Sequence, residues 1–185
     1  MIEPLRLKIP SEITTERLLL RTPRMADGIL IVDTIRASLP ELEPWMPWAK
    51  ADYNTADAED WCRRGAAKYL LGEEANYLIF RRIDGRYMGN ISSFSLGWSV
   101  PKFEIGYWLA TSEVGNGYMT EALLGVTQMT FDVFCARRIE IHTDALNHRS
   151  RRVAERAGYM LEGVLKNECR TKDELRDTCI YALAK

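Results

Sequence analysis

The stretch Glu113-Val114-Gly115-Asn116-Gly117-Tyr118-Met119-Thr120-Glu121-Ala122-Leu123 puts two glycines one residue apart at the mouth of an amphipathic segment. The opening turn of a helix leaves backbone N–H groups without intrahelical partners, and with the macrodipole these make an anion site. Glycine lets a phosphate approach because no Cβ stands in the way. Two familiar phosphate loops do not fit. A P-loop ends in Gly-Lys-Ser/Thr, whereas Tyr118-Met119-Thr120 follows Gly117 here. A dinucleotide-binding turn needs a third Gly or Ala where Thr120 stands, and usually sits in an early βαβ unit. On these residues alone, a plain glycine-rich strand-to-helix turn stays open. A second cluster has similar ambiguity. Trp45, Trp48 and Trp61 crowd together with Tyr53. They suit core packing, or an aromatic clamp on an aminoacyl or nucleobase group.

The elements that must position these groups are legible from periodicity. RLLLRTP (17–23) reads as a strand, and MADGILIVDTIRASL (25–39) as a helix that Pro40 stops. TADAEDWCRRGAAKYLLGEE (55–74) opens with Thr and acids, the chemistry of a helix start. Asp84-Gly85 marks a tight turn, so 76–96 predicts a hairpin, and FEIGYWLA (103–110) another strand. Apolar residues at helical spacing predict a helix over 117–135 with one buried face. In 137–145, Ile139, Ile141 and Thr143 alternate with Glu140, His142 and Asp144, a half-buried strand. A short helix over 147–158 ends at Gly158, and strands are expected near 159–168 and 178–184. This mixture predicts an α+β, mixed-sheet domain, one unit over 1–185.

Bulk properties narrow the class. The 185 residues carry a net charge of −1, with 46% apolar and 28% charged side chains. That is an ordinary globular balance with no basic surplus for nucleic acid. No apolar run approaches the ~18 residues of a membrane span. MIEPLRLKIPSE lacks the apolar core of a secretory signal, so a cytoplasmic chain is expected. Cys62, Cys135, Cys169 and Cys179 are scattered, with only His142 and His148 to join them. Isolated thiols and no metal are the simplest reading.

Taken in order, EIGYWLA, GNGYMTEAL and NHRSRRVAERAGYMLEGVLKN, with the opening ERLLLR and the PWMPW elbow, resemble the GNAT acetyltransferase superfamily. Within it, the chain resembles the Rim-type branch, which acetylates the N-termini of ribosomal proteins. The resemblance covers nearly the whole chain. It implies a bent, mixed sheet of about seven strands, split in the middle and flanked by about four helices. It also implies acetyl-CoA as co-substrate, with its diphosphate on the loop Val114, Gly115, Asn116, Gly117, Tyr118, Met119 and Thr120. The pantetheine arm is expected between Tyr107-Trp108-Leu109-Ala110 and the strand 141–145, with an N–H near Leu109 taking the oxyanion. Asn147 matches a family contact to the CoA arm, and is also a natural N-cap. Ser150 matches a serine beside the thioester sulfur that assists the leaving thiolate. Ala154 stands where many GNAT enzymes place a tyrosine instead.

Two carboxylates compete as base. Glu162 matches the Rim-branch glutamate proposed for this role and is preferred, and Glu104 matches the base of several other GNAT members. Ser112 replaces the usual Gln/Arg of the loop, so a phosphate contact is missing or supplied elsewhere. The arginines at 149, 151, 152 and 156 form a solvated face or grip the adenosine 3′-phosphate. The acceptor is expected to be a protein N-terminus, or alternatively a small aminoacyl or aminoacyl-nucleotide compound. Trp45, Trp48 and Trp61 would lie on that side, and relatives suggest a homodimer. A non-catalytic CoA sensor is the remaining alternative.

Overall fold

The computed structural model describes residues 3–171 and 174–185; Met1, Ile2, Lys172 and Asp173 lie outside the described residues. Among the described residues, eight strands form one sheet in the order β1-β2-β3-β4-β5-β6-β8-β7. These are β1 Glu12–Thr14, β2 Leu18–Arg21, β3 Glu74–Arg81 and β4 Tyr87–Gly97. They continue with β5 Lys102–Leu109, β6 Arg138–Asp144, β7 Met160–Thr171 and β8 Glu174–Ala184. The helices are α1 Gly28–Ala37, α2 Leu39–Leu42, α3 Thr55–Leu70, α4 Tyr118–Val133 and α5 His148–Arg156.

One strand and one helix exceed the expected numbers. β1 is only three residues long, too short to show alternation. The expected 25–39 helix is broken into a 3-10 turn, α1 and α2. Pro40 does not stop it but lies inside the first turn of α2, where a missing N–H costs nothing. The last two strands run longer than expected because they form one extended antiparallel hairpin with two bulges.

The sheet is covered on both faces. On one, Ala122, Leu123 and Val126 of α4 pack on Phe103, Ile105, Ile139 and Ile141. On the other, Ile31, Val32 and Ile35 of α1 and Ala58 and Cys62 of α3 pack on Leu78, Tyr87 and Trp108. Ile139, Ile141 and Thr143 are buried as their alternation predicts. Glu140, on the opposite side of β6, is buried too, and ionic partners described below make that tolerable.

One local irregularity matters most. β5 and β6 run parallel and pair only at Lys102–Arg138, Phe103–Ile139 and Glu104–Glu140. Beyond that point the two strands part, while β5 stays paired to β4 as far as Gly89–Leu109. Ala110 donates its N–H to Met88 O at 2.7 Å. Antiparallel pairs alternate between hydrogen-bonded and open, so Tyr107 and Leu109 turn their main-chain groups away from β4, into the gap.

Candidate active site

The gap opens into a cleft of about 1920 Å³. α4 begins at its edge. Gly117 is the residue before the helix, at φ 79°, and Gly115 lies at φ 86°. Both angles are in the left-handed region that other L residues enter at a cost. No side chain caps this helix, so the N–H groups of Tyr118, Met119 and Thr120 have no intrahelical acceptor and face the cleft. A Cβ at Gly115 would meet nothing within 4 Å, so the protein itself leaves that space open. Arg17 braces the loop from outside. It donates to Asn116 O at 3.0 Å and to Glu121 at 2.6 Å, and stacks over Tyr118.

Val114, Gly115, Asn116, Gly117, Tyr118, Met119 and Thr120 all line the cleft, as do Trp108 and Leu109. Met119 contributes only main chain, since its side chain is in the core. Ala110 is not brought there; its N–H is spent on Met88 and its side chain is buried. Ser112 also points elsewhere, its Oγ accepting from Arg86 at 3.3 Å. A cation reaches the loop from the other wall instead. Arg156 of α5 donates Nε–H to Thr120 Oγ1 at 3.3 Å and lines the cleft with Arg149 and Arg152. Arg151 is turned away, donating to Tyr181 and to Ala145 O.

α5 enters the cleft with its first turn. Asn147 Oδ1 accepts the Ser150 N–H at 3.1 Å, so the expected N-cap is present. The Ser150 hydroxyl meets Tyr107, a partner that sequence reasoning missed. Burial pushes the Tyr107 phenol up to about 12, with the Ser150 hydrogen bond and Arg156 pulling the other way.

The two candidate bases are separated. Glu104 lines the cleft floor at the last β5–β6 pair, where the gap begins. His142 Nδ1 lies 3.6 Å from it, and His142 Nε2 lies 2.8 Å from Glu140. Glu140 is itself held by Arg138 at 2.6 Å. Burial raises the Glu104 pKa; His142 pulls it down and Glu140 pushes it back up. The preferred residue, Glu162, is not among the lining side chains. It is exposed on β7 and fastened by both oxygens to Arg138, whose hydrogen bonds hold its carboxyl below the usual range. β7 is separated from β6 by β8, and the Glu162 side chain reaches across to Arg138 of β6 rather than lining the gap.

Trp45, Trp48 and Trp61 line the far end of the cleft. Trp48 is 39% exposed and tilts against Trp108 and Tyr53, each at 6.0 Å between ring centroids. Arg176 sits over the Trp45 ring at 5.7 Å. The carboxylates Asp57, Glu74 and Asp144 line the cleft too, alongside Lys50 and Arg64, and Glu74 and Asp144 are paired with Lys68 and Arg176. None of these three carboxylates stood out in the sequence, because they come from α3, β3 and β6.

The arrangement can hold a phosphate-bearing acyl carrier along the split sheet and present its acyl group above a carboxylate. Residues 17–160 match the acetyltransferase (GNAT) domain family. The chain is 30% identical to YdaF of Bacillus subtilis (strain 168) over 175 residues, covering 92% of each chain. It is 37% identical over 141 residues to a ribosomal-protein-serine acetyltransferase of Escherichia coli (strain K12), covering 76% of this chain and 78% of that one. Mycobacterium smegmatis RimJ, solved in complex with CoA-disulfide, superposes with a TM-score of 0.83 at 27% identity, covering 90% of this chain and 81% of RimJ. Among the described residues no helix is long and apolar enough to cross a membrane. Motif order, split sheet and family match agree: the chain belongs to the GNAT acetyltransferases, in the Rim-type branch, and is an acetyl-CoA-dependent N-acetyltransferase.

Proposed function

We propose that the acceptor is the α-amine of a protein N-terminus, and that Glu104 removes its proton. The observation that carries this reading is the Glu104 carboxylate on the cleft floor where β5 and β6 part. The E. coli relative is named for a ribosomal-protein serine acceptor. An amine must be neutral to attack a thioester. An α-amine, with pKa about 8, is about one-tenth neutral at pH 7, whereas a lysine near 10.4 is neutral well below the 0.1% level. A carboxylate with a raised pKa is a better-matched base than an ordinary one. The amine enters largely as ammonium, which Glu104 then deprotonates directly or through water.

On the donor side, the α4 amides and Arg156 hold the diphosphate, and the main chain of Tyr107 and Leu109 pairs with the pantetheine arm. The Leu109 N–H faces the gap and is the donor best placed for the oxyanion. Arg156 does the work that Gln or Arg at 112 would do. Arg156→Ala therefore raises the KM for acetyl-CoA by about 10- to 100-fold with kcat nearly unchanged, since a hydrogen bond to a charged group is worth about 1.5–3 kcal/mol. Initial rates with varied acetyl-CoA check this. Trp48→Ala raises the acceptor KM about two- to tenfold and leaves CoA affinity intact, as expected for an aromatic wall on the acceptor side only.

The acceptor itself is tested with peptides beginning in Ser or Ala. Mass spectrometry should place one acetyl group on the α-amine. Modification of internal lysines alone, or of no peptide while small aminoacyl amines react, would overturn the protein-acceptor reading.

A further inference from the structure

Tyr107 lies on β5 inside the gap, yet its hydroxyl reaches across to α5. The Ser150 hydroxyl donates to the Tyr107 oxygen at 3.2 Å, and Tyr107 donates in turn to the Ser150 carbonyl at 3.1 Å. The Ser150 N–H is fixed separately by Asn147. Ser150 is thus held at three points, two of them supplied by one phenol. No other hydroxyl is carried by α5, and the next turn offers only buried Ala154. The Tyr107 ring packs against the main core, so its oxygen is aimed rather than free to wander. With its pKa pushed up to about 12, chiefly by burial, the phenol stays protonated wherever the enzyme works.

We infer that Tyr107 is a positioning residue for the leaving group: it holds the Ser150 oxygen at the gap and strengthens the hydrogen bond that Ser150 gives the departing sulfur. This rests on the reading of Ser150 as the group beside the thioester. As the C–S bond breaks, its electron pair moves to sulfur. Ser150 then turns its O–H from Tyr107 to the sulfur. Tyr107 rotates its own O–H from the Ser150 carbonyl to the Ser150 Oγ. Two hydroxyls in series polarise each other, so the second donor sharpens the first. No proton need leave either residue, and the thiolate takes its proton from solvent or from the cationic nitrogen of the tetrahedral intermediate as that nitrogen becomes the amide.

Tyr107→Phe removes only the hydroxyl. The expected result is a fall in kcat of up to about tenfold, the scale of one lost neutral hydrogen bond, with the KM for acetyl-CoA within about twofold. CoA affinity by calorimetry reports that the cleft is intact. Two readouts separate positioning from mere structure. In a Ser150→Ala background, Tyr107→Phe should cost nothing further, because both act on one bond. With acetyl-seleno-CoA, whose selenolate leaves without help, the loss should largely vanish. A loss from Ser150→Ala with none from Tyr107→Phe overturns the inference and leaves the Ser150 reading standing. No loss from either variant overturns both. Additive losses, or an equal loss with the selenoester, would make Tyr107 structural and overturn the inference.

Discussion

Glu104→Gln lowers kcat by about 10²–10⁴-fold while the affinity for CoA stays near that of the parent, the range for losing a positioned general base. The isosteric amide keeps the shape of the cleft floor and removes only the capacity to accept a proton. Glu162→Gln, by contrast, leaves turnover within about twofold, because its carboxylate is exposed and committed to Arg138 on the far side of β8. The pair of variants therefore decides between the two carboxylates. The pH profile gives a second reading. The base works in its ionised form, so kcat/KM rises with pH through the Glu104 titration. Burial raises that pKa, with His142 opposing and Glu140 reinforcing, so the acid limb should lie above the usual glutamate value of about 4.3. Glu104→Gln should erase that limb and leave only the titration of the amine. Turnover within about twofold of the parent in Glu104→Gln would remove Glu104 from the mechanism.

Gly117→Val weakens CoA binding by tenfold or more. Two effects combine. A β-branched residue at φ 79° carries strain of about 1–2 kcal/mol, which the loop can relieve only by rotating its peptide groups. That rotation disperses the amides that would converge on a diphosphate. The new side chain also stands beside those amides, where an added Cβ already meets Arg17 at 3.5 Å. The fold should survive, since the strain corresponds to a Tm drop of about 2–8 °C in a chain of this size. Titration calorimetry with CoA and a thermal melt measure both quantities. An affinity within about twofold of the parent would show that the α4 amides do not hold the diphosphate.

The contrast between these two cases shows where the sequence was informative. Gly115 and Gly117 could be read as the mouth of a helix, because an amphipathic period and a glycine turn are local; their left-handed φ came from the structure. Helix α4, the β3–β4 hairpin and β6 were legible for the same reason: period and turn chemistry are local. The order EIGYWLA, GNGYMTEAL, NHRS then sufficed for the family, since each motif fixes a neighbouring piece of one site.

What the sequence left open depends on distances between residues far apart in the chain. On paper Glu162 is the preferred carboxylate with Glu104 as its rival, and both sit on strands. Only strand order decides that one lies at the split and the other beyond β8. The Tyr107–Ser150 contact joins a strand and a helix forty-three residues apart, and the reach of Arg156 to Thr120 spans thirty-six. Glu140 was expected on an exposed face, and its burial depends on Arg138 and His142 beside it and on Lys102 from the neighbouring strand. Local rules set backbone shape; side-chain partnership waits on register and packing, which the whole sheet must settle together.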